Sequence, residues 1–412
     1  MHIVIVNRWP RFSDGVRWDN ELTRYEEFID HDLHRVSYVV DKLGADGVLV
    51  DPSKIRSFKQ VEDVNDFVAL RAAVAAIAEE SGPVDQLIAL SEFTLEIAAR
   101  VRQDLGIPGP TPDEVAVYRD KVRMKQVLAE AGLRVPRFAA CEDHDQVLSF
   151  AEACGYPVIL KPVDGAASIG VHRVDDETRL AELLPTVDLS RYELEEFVEG
   201  EIYHVDGYIG AGSAIRFQVA SRYVSDCLAF GAGAPLGSVV LQRSRLRERV
   251  EAFAQECVSA LGMYDTPFHL ELFLTPTDEL VFLEIGGRIG GGEVPHLLNK
   301  LFDVNLYEVW LRELAGESVT PPAKTGDPAG GWLILPKPAE LPARVVKAEP
   351  MSERVPTIWR ELLPPVGEVL QPGGAYDALH SGRFILLHEQ QEKVEADIHH
   401  IIENFEFEAI SL

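Results

Sequence analysis

The 412-residue sequence has few cysteines, few basic residues and no long apolar segment. Its four cysteines, Cys141, Cys154, Cys227 and Cys257, lie far apart and form no C-x-x-C pair, which indicates neither a disulfide framework nor a zinc site. No uncharged run approaches the roughly 20 residues of a membrane-spanning helix, and the N-terminus lacks the pattern of a signal peptide. We therefore expect a reduced, cytoplasmic protein.

The charge balance is strongly acidic, with 39 Lys and Arg against 67 Asp and Glu and a formal net charge of −28. Nucleic-acid binders need a cationic surface that displaces counterions, and anionic membranes attract basic segments. We therefore expect neither nucleic acid nor a membrane as a partner. The hydrophobic content of 46% is typical of a folded globular protein, and the length suggests about two to three domains.

Several catalytic motifs are missing from the sequence. There is no Gly-Lys dipeptide and hence no phosphate-binding P-loop, and there is no H-E-x-x-H zinc motif. Ser168 lacks the glycine two positions earlier that a serine hydrolase would use. The first predicted strand is followed by Asn7-Arg8-Trp9-Pro10 rather than by a glycine fingerprint, which disfavours a dinucleotide-binding protein.

The N-terminal part alternates strand and helix patterns, which predicts a parallel α/β sheet. The predicted strands are residues 3–6, 47–51 and 87–90, and the predicted helices are residues 66–80 and 92–103. Ser91 and Glu92 would lie at the carboxyl end of the sheet, where ligands of such sheets bind. A simple helix cap is the alternative interpretation of these two residues.

Turn-forming residues at 106–112 and 320–331 are typical of boundaries between structural units. The sequence between them changes from a small α/β pattern to mostly strands. The four predicted units are an α/β domain at 1–110, a small domain with a linker helix at 111–200, a core at 201–320 and an α+β extension at 321–412. The predicted fold class is therefore α/β and α+β.

A pair of glutamates on adjacent predicted strands is the strongest chemical signal. Strands at 268–274 and 280–285 flank a predicted turn, and antiparallel pairing about that turn would place Glu271 opposite Glu284, with Cβ atoms roughly 5 Å apart. Two carboxylates this close repel each other unless a cation lies between them, and oxygen ligands favour Mg²⁺. His269 would face the same side. An exposed sheet face with a tolerated like-charge pair is the alternative.

Basic residues stand at three places where a phosphate-rich ligand would need them. Arg288 follows Glu284 in a glycine-rich loop and could stabilise developing negative charge. Lys161 ends an apolar strand before the small-residue loop Gly165–Gly170, whose backbone N–H groups could cradle anionic oxygens. Lys121 opens a predicted helix. Solvated surface lysines are the alternative interpretation of Lys121 and Lys161.

An acidic segment at 192–201 follows the small-domain pattern. Such segments are usually solvated faces. Glu195 and Glu201 could instead accept hydrogen bonds from a nucleoside.

The order of these motifs along the chain resembles the ATP-grasp superfamily of carboxylate–amine or carboxylate–thiol ligases, over nearly the whole chain. The matched order is Arg119-Asp120-Lys121, Ile159-Leu160-Lys161-Pro162, the loop Gly165–Gly170, Glu195-Glu196-Phe197-Val198, and Glu271 with Glu284 followed by Arg288. The His269-x-Glu271 pattern and the run from Glu284 to Arg288 look more like bacterial L-amino-acid ligases, which are dipeptide synthetases, than like biotin carboxylase. The resemblance implies an ATP-grasp fold with a pre-ATP-grasp N-terminal domain and a C-terminal extension.

The resemblance also implies a role for each candidate residue. The implied cofactors are ATP and Mg²⁺, with Mn²⁺ as a substitute. The implied assignments are Lys121 and Lys161 at the phosphates under a loop containing Ser168 and Ile169, Glu195, Glu196, Phe197 and Val198 at the adenine, Glu201 at the ribose, Glu271 and Glu284 at the metal, and Arg288 and His269 as catalytic residues near the acyl phosphate and substrate. Gly286 stands where many members have an Asn that completes the metal site.

The implied reaction activates an amino-acid carboxylate as an acyl phosphate, which an amine then attacks to form an amide. Residues 165–170 and 225–240 are the predicted lids over the reactive intermediate. Small-molecule amino acids or peptides are the implied substrates, and a homodimer is a further expectation. Acyl transfer to a carrier-protein thiol and a non-catalytic ATP-binding module are the alternatives, and the second predicts a damaged metal pair.

Overall fold

The structure is a computed structural model that describes residues 1–11, 20–141, 143–165, 168–225, 233–321, 326–372 and 380–412. Its strands are β1 (His2–Asn7), β2 (Arg35–Val40), β3 (Ile55–Gln60), β4 (Gln86–Ala89), β5 (Phe138–Ala140), β6 (Val158–Pro162), β7 (His172–Val174), β8 (Tyr192–Glu196), β9 (Glu201–Ile209), β10 (Ile215–Tyr223), β11 (Leu236–Val240), β12 (Thr266–Leu274), β13 (Leu280–Gly286), β14 (Ala329–Leu335), β15 (Ala343–Ala348), β16 (Ile358–Leu362), β17 (Val369–Leu370), β18 (Gly382–His388) and β19 (Phe407–Ser411).

The helices are α1 (Tyr25–Phe28), α2 (Lys42–Ala45), α3 (Phe67–Ser81), α4 (Glu92–Leu105), α5 (Pro112–Ala116), α6 (Lys121–Glu130), α7 (His144–Cys154), α8 (Glu177–Leu183), α9 (Arg245–Ala260), α10 (Val294–Phe302), α11 (Leu306–Leu314) and α12 (Gln391–Asn404). The predicted helices at 66–80 and 92–103 are present as α3 and α4, with bounds that differ by at most two residues. Among the described residues, no helix combines the length and the apolar character that crossing a bilayer requires.

The N-terminal sheet has the order β3-β2-β1-β4, and every pairing in it is parallel, as predicted. All six residues of β1 are buried, as expected of a parallel strand that is covered on both faces. Helix α3 begins at Asp66, whose side chain accepts a hydrogen bond from the backbone N–H of Ala69.

The predicted strand at 47–51 is wrong. These residues follow α2 as turn and irregular structure, and the neighbours of β1 in the sheet are β2 and β4. Gly47 lies against the Trp9 carbonyl, where a Cβ would come within 2.0 Å of the oxygen, and Leu49 is 51% exposed. The apolar run is thus a loop that packs beside the first strand rather than a buried strand.

A second four-stranded sheet, β5-β8-β6-β7, has antiparallel pairing and lies within the predicted small domain. Its apolar face carries Val158, Leu160 and Leu194, which pack with buried residues of α7 and α8. The opposite face of β6 and β8 carries Lys161, Glu193 and Glu195, which pair with one another and with Lys125 of α6.

The largest sheet is antiparallel and has eight strands in the order β13-β12-β9-β10-β11-β14-β18-β16. Its last three strands come from residues 329–388, so the predicted extension adds strands directly to the core sheet. The separate three-stranded sheet β17-β15-β19 also lies in the C-terminal part. The four-unit division remains a prediction, while the mixture of parallel and antiparallel sheets agrees with the predicted fold class.

Candidate active site

The two predicted metal carboxylates lie opposite each other. In the β12–β13 pair, Glu271 is the register partner of Glu284, which confirms the predicted pairing. The register shifts immediately beyond, where Leu272 pairs with Phe282, so Leu283 is the extra residue of a β-bulge. From His269 to Glu271 the pairing is regular, so the Glu271 and Glu284 carboxylates project from the same face of the sheet.

Glu271 is held by two hydrogen bonds to the same oxygen. The Tyr223 hydroxyl donates to Oε1 at 2.8 Å, and Nε2 of His269 lies 3.3 Å from the same atom. Burial opposes ionisation of Glu271, but these two neighbours outweigh it and lower the pKa of its carboxyl to about 2. An ionised carboxylate whose second oxygen, Oε2, is not used by either bond fits a divalent cation.

Glu284 lies beside Lys121, the first residue of α6. Nζ of Lys121 is 3.2 Å from Oε2 of Glu284 and donates a hydrogen bond of 2.6 Å to the carbonyl of Gly165. Asp120 is the N-cap of α6, and its carboxylate accepts hydrogen bonds from the backbone N–H groups of Val122 and Arg123. The lysine therefore connects the metal pair to the beginning of the small-residue loop.

A buried cluster of lysines and glutamates lies under the other side of the site. Nζ of Lys161 is 2.6 Å from Oε1 of Glu195, and Nζ of Lys125 is 2.6 Å from Oε2 of the same residue and 2.7 Å from Glu193. Burial alone would raise the pKa of Glu195, but Lys125 and Lys161 outweigh it and lower that pKa. Burial raises the pKa of Glu193. Each carboxylate oxygen of Glu195 therefore pairs with one lysine. A contact of Glu195 with adenine remains a prediction.

A single cavity of about 470 Å³ brings the predicted cofactor site together. Every residue predicted for the nucleotide or the metal lines it, although these residues come from the small domain, α6 and the large sheet. They are Lys121, Lys161, Ser168, Ile169, Glu195, Glu196, Phe197, Val198, Glu201, Glu271 and Glu284. Their roles remain predictions, but their convergence on one cavity is a property of the fold.

Hydrogen bonds, ion pairs and a cation–π contact restrain further residues that line the cavity. Glu201 accepts hydrogen bonds from Tyr203, at 2.9 Å, and from Arg222, at 2.8 Å. The guanidinium of Arg173 lies 4.5 Å from the centre of the Phe197 ring, at the distance of a cation–π contact. Glu196 pairs with Arg134.

Arg288 is fixed by Glu92, which follows the last strand of the parallel N-terminal sheet. Its Nε donates to Oε2 of Glu92 at 2.6 Å, while Arg119 donates to the other oxygen of Glu92 and also, at 2.9 Å, to the carbonyl of Asp164. Burial opposes ionisation of Glu92, but Arg288 and Arg119 outweigh it and lower its pKa to about 2. Glu92 at the carboxyl end of the parallel sheet thus reaches the predicted catalytic loop, and Ser91 is the capping residue of α4 without a side-chain cap bond.

His269 has carboxylates on both sides. Nδ1 lies 2.8 Å from Oδ1 of Asp206, and Nε2 faces Glu271. Burial lowers the pKa of His269, but Asp206 and Glu271 outweigh it and raise it to about 9. Asp206 and His204 were not predicted from the sequence. They stand two positions apart and therefore share one face of β9, and this spacing is the local signal that points to them.

Gly286, which stands where many ATP-grasp members have an Asn, packs against Arg288 and Glu92. A Cβ at Gly286 would lie 3.3 Å from Cγ of Arg288 and 3.6 Å from Oε1 of Glu92, so a larger residue there would press on the Arg288–Glu92 pair.

Of the predicted lids, residues 166–167 and 226–232 lie outside the described residues. Residues 236–240 form β11 inside the large sheet, so the second predicted lid is wrong for that part.

Most residues that line the cavity belong to a segment that matches a known domain family. Residues 154–296 match the ATP-grasp domain family. The chain contains an ATP-grasp domain. A solved L-amino acid ligase from Bacillus licheniformis has the same fold, with a TM-score of 0.74 at 20% identity over 99% of this chain and 98% of that chain. The N5-carboxyaminoimidazole synthetase of Staphylococcus aureus, solved with ADP, gives 0.68 at 15% identity over 97% and 96%.

The ATP-grasp domain also has relatives among curated sequences. The L-arginine-specific L-amino acid ligase of Bacillus subtilis is 26% identical over 257 residues, which are 60% of this chain and 62% of that protein. The aligned part therefore spans about three fifths of this relative. These similarities confirm the predicted resemblance to the ATP-grasp superfamily and to its L-amino-acid ligases.

Proposed function

We propose that the chain is an ATP-dependent carboxylate–amine ligase that acts on amino acids. The observation that carries this proposal is the single cavity that joins Lys121 and Lys161 to the facing pair Glu271 and Glu284. Lysines are suited to bind phosphates, and the facing carboxylates are suited to hold Mg²⁺ or Mn²⁺, as their oxygen donors fit these ions. When bound, the ion would neutralise charge on the phosphates of ATP.

In the proposed reaction, a carboxylate oxygen attacks the γ-phosphorus of ATP, and ADP leaves as the acyl phosphate forms. The amine nitrogen of a second substrate then attacks the acyl carbon, loses a proton and expels phosphate. Lys121 and Lys161 would orient the phosphates, and Arg288 would stabilise negative charge on the acyl group. Catalysis of this kind depends mainly on positioning and charge neutralisation.

The arrangement of Arg288 supports a substrate site between the N-terminal domain and the large sheet. Glu92, at the carboxyl end of the parallel sheet, accepts a hydrogen bond from Arg288, which follows the Glu284 strand. The substrates we propose there are small amino acids or peptides, in agreement with the names of the relatives.

Replacing Glu284 tests the assignment of the metal pair. We expect Glu284→Gln to lower amino-acid-dependent ADP release by at least ~100-fold, since loss of a supporting neighbour of a metal ligand alone can cost that much. Glu279→Gln is the matched control, because Glu279 lies in the turn of the same hairpin and is exposed. Unchanged turnover in Glu284→Gln would contradict the site assignment.

A further inference from the structure

A chain of buried polar side chains crosses the large sheet and ends on Glu271. Oγ of Ser238, on β11, lies 2.6 Å from Nε2 of His204, on β9. Nδ1 of His204 lies 2.6 Å from Oδ2 of Asp206, whose Oδ1 lies 2.8 Å from Nδ1 of His269, on β12. We call His204, Asp206 and His269 the His–Asp–His array.

The array is almost completely shielded from water. His204 and Asp206 are each 1% exposed, and His269 is 7% exposed. Gly290 covers it, because a Cβ at that position would lie 2.3 Å from Oδ1 of Asp206 and 3.0 Å from Nδ1 of His269. Buried groups of this kind are costly unless each is hydrogen-bonded, so the array depends on its own partners for stability.

Asp206 determines which way both rings point. An ionised carboxylate accepts hydrogen bonds only, so both Nδ1 atoms donate to it. The orientation of His269 that results directs its Nε2 toward Oε1 of Glu271, 3.3 Å away. Tyr223, whose ring centre is 4.7 Å from that of His204, donates to the same oxygen.

Both hydrogen bonds to Glu271 act on Oε1. Because they fix the orientation of the carboxylate, they also fix the direction of Oε2, which neither bond uses. Partners of this kind, which bind a ligand residue rather than the ion, set the orientation of metal ligands in proteins. We propose that Asp206 and His204 are positioning residues that act through His269 to hold the Glu271 carboxylate with Oε2 toward the divalent cation. This inference rests on the proposed function, because it concerns the cation of the proposed ATP site.

The inference is tested by measuring Mn²⁺ affinity of the full chain in the presence of ADP, from the free Mn²⁺ signal in electron paramagnetic resonance. We expect Asp206→Asn to weaken Mn²⁺ binding about 10- to 100-fold. ADP binding in the presence of EDTA should not change, because the bonds in question act on the metal ligand alone. Unchanged Mn²⁺ affinity in a folded Asp206→Asn protein would overturn the inference.

A matched control separates this effect from a general loss of stability. Val205 is fully buried on β9 between His204 and Asp206, and it points to the opposite face of the sheet. Val205→Ala should lower the melting temperature and leave Mn²⁺ affinity unchanged. If Val205→Ala weakens Mn²⁺ binding as much as Asp206→Asn does, the effect is structural and the inference fails.

A second variant covers the case in which Asp206→Asn does not fold. His204→Phe removes the bonds to Asp206 and Ser238 but keeps an aromatic ring against Tyr223. Weaker Mn²⁺ binding with unchanged metal-free ADP binding supports the positioning role. Unchanged Mn²⁺ binding overturns it.

Two other outcomes are distinguishable. If the wild-type chain binds no Mn²⁺ with ADP, both the proposed function and the inference fail, whereas normal wild-type binding with unaffected variants overturns the inference alone. The ligand atoms of the array lie within 4.8 Å of one another, a spacing that could suit a metal ion. Zn²⁺ bound tightly without nucleotide, and lost in His204→Phe, would show that the array is itself a metal site and would overturn the positioning role.

Discussion

Charged side chains around the cavity hold one another in place. Lys125 is completely buried in α6 and pairs with both Glu193 and Glu195, and Glu195 in turn pairs with Lys161. Removing one partner from such a group leaves an uncompensated buried charge. The position of Lys161 in the cavity therefore depends on a lysine that does not line the cavity.

We expect Lys125→Met to destabilise the protein by about 3–5 kcal/mol, because two buried carboxylates lose a partner. Urea denaturation followed by circular dichroism measures this change. Arg179→Ala, which breaks an exposed pair with Glu182, is the control and should cost less than about 1 kcal/mol. A similarly small change for Lys125→Met would contradict the account of this cluster.

The pairing of Glu92 with two arginines predicts a pH dependence. Its pKa is lowered to about 2 from an ordinary value of 4.5, so ionised Glu92 stabilises the folded state above about pH 4.5, and this contribution is lost as the pH falls toward 2. The unfolding free energy of the wild type should therefore fall more steeply than that of Glu92→Gln between about pH 5 and pH 2. Parallel pH profiles of the two proteins would contradict the ion pairing.

Some site residues could be predicted from the sequence because their signals are local. Glu271 and Glu284 flank one short turn, so their register follows from counting along the hairpin. Asp206 and Lys125 could not be predicted, since their contacts depend on how β9 pairs with β12 and how α6 packs on the small domain. Such pairings join residues far apart in the sequence and leave no mark in a single sequence.

At the scale of elements, the β12–β13 hairpin and the glycine-rich loop after it form one unit. The hairpin carries both carboxylates, and the loop places Arg288 beside Glu92 and Gly290 over the His–Asp–His array. The small residues of the loop are required where it touches the array. Helices α3 and α4 could be predicted because the helical spacing of their apolar residues is local, whereas the apolar run at 47–51 had no strand partner.

Gly290→Ala tests the packing of this loop. Its Cβ would collide with Asp206, so we expect a loss of stability of about 1–3 kcal/mol together with a lower rate of ADP release. Gly106→Ala is the control, because Gly106 has a φ of 67° and open space around its Cβ position. That variant should be strained in its backbone yet retain its rate. An unaltered rate and stability for Gly290→Ala would contradict the close packing.

At the scale of the whole molecule, the C-terminal strands complete the large sheet. Strand β14 lies between β11 and β18, and Val239 of β11 belongs to the same apolar cluster as Phe384 and Ile398. The sequence showed a boundary at 320–331 because its turn formers are local. After this boundary the chain returns to the same sheet, where β14 pairs with β11. This pairing joins residues far apart in the sequence and could not be predicted from it.

A chain that ends at residue 320 should therefore not fold properly. It would expose the edge of β11 and the apolar residues that β14 and β18 cover, and such edges promote aggregation. Soluble yield and size-exclusion chromatography measure this outcome. A soluble monomer with a cooperative thermal transition would show that the last part is dispensable for the large sheet.

The proposed ligase activity is tested most directly by incubating the full chain with ATP, Mg²⁺ and pooled amino acids and measuring the nucleotide product and the masses of new compounds together. We expect ADP to accumulate only when amino acids are present, together with an equal amount of an amide whose mass is that of two amino acids less water. Release of AMP, or ADP release that is independent of amino acids, would contradict the proposed activity.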